Sequence, residues 1–117
     1  MNIEAFRDFC LLLKGATEEF PFDNRTLVFK VQNKIFASLD LESFKQINLK
    51  CDPEKAIELR EQFEGIIPGY HMNKKHWNSV KTPSDVSDSL VKELTNHSYE
   101  LVVSGLTKKL REELNSL

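Results

Sequence analysis

Apolar positions recur along this chain at two periods, and the switches between them mark out its elements. Over residues 2–14, Ile3, Phe6, Cys10 and Leu13 share one helical face, with Phe9 and Leu12 at its edge. Glu4, Arg7, Asp8 and Lys14 fall elsewhere, and Gly15 follows as a stop. An apolar face that wide predicts packing on a sheet. The period then drops to two. Residues 17–22 read as extended, with Pro21 restricting them to an edge or an end; residues 23–25 read as a turn. Residues 26–40 predict a hairpin. In it Leu27, Phe29 and Val31 alternate with Val28 and Lys30, and Gln32-Asn33 makes the connection. Ile35, Ala37 and Leu39 then alternate with Phe36 and Ser38. A crossing over 41–45 leads to a third short strand at 46–50.

Asp52-Pro53 is a helix start: an N-cap, proline at the first helical position, and Glu54 in the first turn. This helix is expected to end near Glu64, with Ala56, Leu59 and Phe63 as its stripe. Residues 70–72 and 76–80 read as two short strands around Asn73-Lys74-Lys75, which forms either a hairpin connection or one helical turn. Residues 87–104 predict a long helix with Leu90, Val91, Leu94, Ser98, Leu101 and Val102 inward. Gly105 breaks it, and residues 107–117 form a last short helix. The expected fold class is α+β: a two-layer sandwich with a mostly antiparallel sheet, in the order α-β(3)-α-β(2)-α. With 117 residues, no repeat and no linker, the chain suits a single domain over 1–117. Such a domain buries roughly 65% of its unfolded surface and is stable without disulfides or metal.

Composition narrows the partners. The hydrophobic and charged shares, 40% and 29%, are those of a folded soluble protein. A net charge of −2 excludes a general polycation, so a nucleic-acid site must be a local patch. Residues 24–51 carry a balance of +3, while 1–23 and 52–64 each carry −3. Residues 68–82 hold no Asp or Glu, yet they hold the only Trp, three Lys, two His and two Asn. Cys10 and Cys51 suit a reducing compartment, with a single disulfide left open. No apolar run reaches membrane-spanning length, and the start MNIEAFRDF lacks the basic-then-apolar order of a signal peptide. Cytoplasm is therefore the expected location.

Two stretches, YHMNKKHWNSV at 70–80 and SYELVVSGLTKK at 98–109, together resemble the two signatures of the MmcQ/YjbR family of small bacterial proteins. Cys10-Leu11, Gly15, Glu18, Val31, Lys34, Phe36, Pro53 and Leu59-Arg60 extend the resemblance over nearly the whole chain. Lys14-Gly15 departs from it, since Pro-Gly is common there. The resemblance implies an α-β(3)-α-β(2)-α arrangement, sometimes compared to secretion-chaperone folds. It also implies a proposed "double wing" mode of DNA binding.

Read from the residues alone, Lys74, Lys75 and Lys81 share an acid-free stretch with Asn73, His76 and Trp77, and Lys45 and Lys50 add charge from the preceding segment. Lysine and asparagine reach phosphates, and an exposed aromatic stacks on bases. Three or four such contacts give weak, salt-dependent, non-sequence-specific DNA binding, with Kd on the order of 10⁻⁴ to 10⁻⁶ M. No helix rich in Arg or Asn supports major-groove reading. The bland reading is structural: His76 and Trp77 clasp Ser98 and Tyr99, with Tyr99 packed near Trp77, His76 bonded to a neighbouring backbone or hydroxyl group, and the Ser98 hydroxyl bonded back to a helical carbonyl. The protein is then a protein–protein or small-ligand interaction module. No metal is expected, because His71 and His76 are five apart and match neither helix nor strand spacing. No cofactor is expected, and no catalytic residue: Cys10 lies on an apolar face, and glycine-rich or nucleophile motifs are missing. The chain is expected to be a non-enzymatic monomer or small homo-oligomer.

Overall fold

The computed structural model describes residues 1–69 and 72–117. These form α1 (Ile3–Leu12), β1 (Ala16–Glu19), β2 (Thr26–Val31), β3 (Lys34–Asp40), β4 (Gln46–Lys50), α2 (Pro53–Gln62), β5 (Ile66–Pro68), β6 (Trp77–Lys81), α3 (Asp88–Ser104) and α4 (Lys108–Asn115). The strands make one sheet in the order β1-β2-β3-β4-β6-β5, with every neighbouring pair antiparallel. The α+β sandwich expected from the pattern is present, with two differences. The segment after α1 joins the sheet as an edge strand, so four strands precede α2. A strand not marked by the pattern, Ile66–Pro68, pairs with β6; of the strand expected at 70–72, Tyr70 and His71 lie outside the described residues.

Local chemistry explains the boundaries. Asn2, Asp52, Ser87 and Thr107 each cap a helix by accepting a backbone N–H three residues on. Gly15 takes φ +71° where a Cβ would meet Leu114 of α4 at 2.6 Å, so both conformation and close approach need glycine. The β2–β3 turn uses Gln32 and Asn33 at φ +46° and +64°, the left-handed pair that matches the twist of a two-residue hairpin. A bulge follows: Phe29 pairs with Ala37 but Lys30 with Ile35, which leaves Phe36 as the extra residue. Its ring enters the core. Phe6, Phe29, Phe36 and Tyr99 then form a chain of ring contacts at 5.7, 6.4 and 5.5 Å, joining α1 through β2 and β3 to α3. Leu12, placed at the edge of the α1 face by periodicity, is solvent-exposed; the helix ends there, and Leu13 turns toward the core instead.

All the helices that pack on the sheet do so on one face. That face presents Leu27, Phe29, Val31, Ala37, Leu39, Ile47, Leu49 and Val80. Alternation sends the intervening residues to the other face, where cross-strand register aligns Val28, Ser38, Asn48 and Ser79 in one row across β2, β3, β4 and β6. No helix among the described residues covers this second face. Phe22 of the β1–β2 loop and Met72 of the β5–β6 loop overhang it.

Candidate functional site

The helix-free face gathers most of the basic residues singled out in the sequence. Lys50 lies opposite Trp77, and Lys81 opposite Gln46, in the same alternation class as Asn48 and Ser79. Lys45 sits just before β4 and lines a cleft on this face. Lys50 and Lys81 thus mark opposite ends of the β4–β6 pair, separated by about 13 Å along the strands. At the Lys50 end, where the sheet meets the end of α3, a groove of about 530 Å³ is lined by Lys30, Lys34, Lys50 and Trp77 with the apolar Phe22, Ile35, Val102 and Leu106, and no described lining residue is acidic.

Asn73, Lys74, Lys75 and His76 form one turn within the loop of the β5–β6 hairpin. The Asn73 side-chain oxygen accepts from the N–H groups of Lys75 and His76, and its carbonyl accepts from the N–H of Trp77. The Cys51 N–H donates to the His76 carbonyl at 2.8 Å, holding the turn beside the end of β4. Within it Lys74 is tied locally: its ammonium donates to the Gly69 carbonyl, and its own carbonyl accepts from Arg60 of α2. Lys75 is exposed and stands as the freer cation of the pair.

Glu19, Asp40 and Glu42, the acids on and beside this face that form ion pairs, share two cations, with Arg25 serving both Asp40 and Glu42. Arg25 donates from Nε to both oxygens of Asp40 at 2.9 Å, and it also pairs with Glu42. Asp40 accepts the N–H groups of Glu42 and Ser43 as well. The Arg25 hydrogen bonds, more than the backbone ones, hold its carboxyl down at about 2. Glu19 pairs with Lys30. Lys34, Lys45, Lys50, Lys75 and Lys81 have no ion-pair partner among the described residues.

The signature residues do not meet as expected. Tyr99 packs edge-on against Phe36, not on Trp77, and its hydroxyl donates to the Lys14 carbonyl at 2.6 Å, pinning the turn after α1. The Ser98 hydroxyl bonds a strand, not a helical carbonyl: it donates to the Phe36 carbonyl at 2.5 Å and accepts from the Lys50 N–H at 2.9 Å. Ala37 pairs with Leu49, so Phe36 and Lys50 come next in register. The bulge splays them, and Ser98 inserts its oxygen between them. His76 engages through its backbone. Trp77 is half-buried and packs on Gly69, where a Cβ would meet the Trp77 Cβ at 2.8 Å. The two signatures are linked through Lys50, the strand partner of one and the hydrogen-bond partner of the other. Asn78 ties β6 to α2 by donating to the Ala56 carbonyl.

Both thiols are free and buried. Burial pushes Cys10 far up and Cys51 to about 11, so neither is a ready thiolate. No group of three His, Cys, Asp or Glu side chains able to hold a metal occurs among the described residues, and no described helix is long and apolar enough to cross a membrane.

One arrangement was missed in the sequence. The Ser79 hydroxyl donates to the Asn48 side-chain oxygen Oδ1 at 2.5 Å, and the Asn48 Nδ2 amide donates to the Ser38 hydroxyl at 3.2 Å. The relay forms part of the floor of a cleft of about 680 Å³. Alternation already put Ser38 and Asn48 on the polar side of their strands, but only the strand order brings them side by side.

The YjbR family model matches residues 11–101. The uncharacterised protein YbdF of Escherichia coli O157:H7 is 45% identical over 91 residues, covering 77% of this chain and 75% of its own. The uncharacterised protein YjbR of Escherichia coli K12 is 30% identical over the full length of both. Among solved structures, a Deinococcus radiodurans protein with a DUF419 domain superposes with a TM-score of 0.91 at 40% identity, covering 97% of this chain and 88% of that one. A Pseudomonas syringae protein gives 0.74 at 27% identity, covering 86% and 98%. With a family match across most of its length and a full-length relative, the chain belongs to the MmcQ/YjbR family.

Proposed function

We propose that the protein binds rather than catalyses, and that its helix-free sheet face makes weak, non-sequence-specific contact with DNA. The observation that carries this reading is the sorting of charge. On and beside that face the acids Glu19, Asp40 and Glu42 are paired, whereas Lys34, Lys45, Lys50, Lys75 and Lys81 keep their charge without an ion-pair partner among the described residues. Trp77, half-buried beside Lys50, adds partly exposed aromatic surface to the charged one. The raised thiols favour binding over turnover, because neither cysteine is a ready nucleophile.

Fluorescence anisotropy with a labelled duplex tests this. Saturable binding is expected at low salt, with log K falling against log salt at a slope of about −2.7 to −3.6, as three or four phosphate contacts require. Lys50→Glu with Lys75→Glu should weaken binding more than Lys74→Glu alone, because Lys74 is tied to Gly69. Binding absent at low salt, or unchanged in the double variant, overturns the reading.

A further inference from the structure

We propose that the cleft of about 680 Å³ on the helix-free face is a binding site for a small carboxylic acid with an apolar body. This goes beyond contact with DNA and does not rest on it. The volume lies within the roughly 300–1,000 Å³ of small-molecule sites. Val28 and Ile35 give it an apolar floor, and Phe22 and Met72 an overhang. The polar side of the cleft is rich in donors. The relay from Ser79 through Asn48 ends at Ser38, which accepts from Asn48. Ser38 is only 5% exposed, and its hydroxyl hydrogen has no protein acceptor among the described residues. A hydroxyl that already accepts is oriented to donate, and the remaining space it faces is the cleft. The second amide hydrogen of Asn48, the Gln46 amide and the Lys45 ammonium add further donors.

The one acid in the lining, Asp40, is the group that would invite an amine. Its oxygens already take Arg25, Glu42 and Ser43, so its charge is already compensated and a cationic ligand gains less there. A carboxylate instead meets Lys45 and the Ser38–Asn48 donors. Phe44 holds φ +33°, a costly conformation for a side chain of that size. Its ring packs against the core, while Ser43 and Lys45 on either side line the cleft.

Three probes that share an indole body separate the chemistry: indole-3-propionate, tryptamine and 3-methylindole, each titrated into ¹⁵N-labelled protein. The carboxylate should give saturable amide shifts centred on Val28, Ser38, Gln46 and Asn48, with Kd between micromolar and millimolar. Tryptamine should bind at least fivefold more weakly. Lys45→Gln should weaken the carboxylate but not 3-methylindole. Val28→Phe should fill the floor and abolish binding. Should that variant not fold, Ser38→Ala, which adds no volume, should weaken the carboxylate severalfold. Equal affinity for carboxylate and amine, shifts centred on Lys34, Lys50 and Trp77 instead, or no saturation at millimolar probe each overturn the proposal. A parallel titration with duplex DNA reports on the nucleic-acid reading separately, since its shifts are expected at Lys50, Lys75 and Trp77.

Discussion

The two faces of the sheet both hold fully buried residues but are opposite in chemistry: the apolar residues that β2, β3, β4 and β6 present to the helices are buried, whereas the other face is buried only at its centre and partly exposed toward its ends. Val31 and Val28, on the same strand, are both completely buried. Val31 meets the apolar core beneath α1 and α3, whereas Val28 lies in register with Ser38, Asn48 and Ser79. The first face holds the fold together, and the second is shielded by loops and carries donors and unpaired lysines. Burial alone therefore does not separate scaffold from site here; the identity of the cross-strand neighbour does. The sharpest break of this contrast is Phe29→Ala, which removes the middle ring of the Phe6–Phe29–Phe36 chain. It should cost about 3–5 kcal/mol in urea unfolding. A cost below about 1 kcal/mol would mean that the helix-covered face is not the stabilising one.

Next in size is Ser98→Ala. Ser98 stands in for one missing rung between β3 and β4, so its loss leaves the Lys50 N–H and Phe36 carbonyl unbridged under α3. The expected cost is about 1–3 kcal/mol. Amide exchange should speed up at Lys50 more than at Leu49, whose strand partner is intact. Equal acceleration at both would show that the hydroxyl acts through general packing.

The same two residues show how far the sequence could be read. The helix starts, the Thr26–Asp40 hairpin and the third strand were legible because each depends on neighbours in the chain: an N-cap and proline, a period of two, a polar pair at the turn. Ser98 and Tyr99 were recognisable as a signature, but their partners were not. Phe36, Lys14 and Lys50 are remote in sequence, and the bulge that frees the Phe36 carbonyl shows only as a register shift. Strand β1 was read as merely extended, because four residues ending in two glutamates carry little alternation. The lysines of the candidate interface were legible as a basic bias. That Arg25 and Lys30 are consumed by Asp40, Glu42 and Glu19 was not, since each pair joins different elements.

A finer probe of the two faces is the isosteric swap of valine for threonine. Val31→Thr places a hydroxyl among Leu and Phe side chains and should cost about 1–2 kcal/mol. Val28→Thr places it beside the Ser38 hydroxyl, whose hydrogen is unclaimed, and should stay within about 0.5 kcal/mol. If Val28→Thr were as costly as Val31→Thr, the second face would be a second core, and a ligand cleft there would lose its physical basis.

The smallest expected effect concerns the seam where α3 passes the start of α2, at the margin of the helix-covered face. His97 Nε2 accepts the Asp52 N–H at 3.3 Å. Burial first, and then the charge of Lys55, lowers the His97 pKa. The folded value thus lies below the unfolded one of about 6.5, so below that pH the unfolded chain takes up a proton more readily. The contribution to stability is complete above about pH 6.5 and is lost as pH falls through the folded pKa. His97→Gln keeps an acceptor for the Asp52 N–H without titrating, so its urea midpoint should fall less between about pH 6.5 and 5 than that of the wild type. Asp23, Asp40 and Glu18, whose pKa values are lowered by their own hydrogen bonds, titrate further down and leave this window to the histidine. A variant profile as steep as the wild-type one would place the proton elsewhere. The seam would then rest on the Asp52 cap and the packing of Ala56 and Leu59 alone.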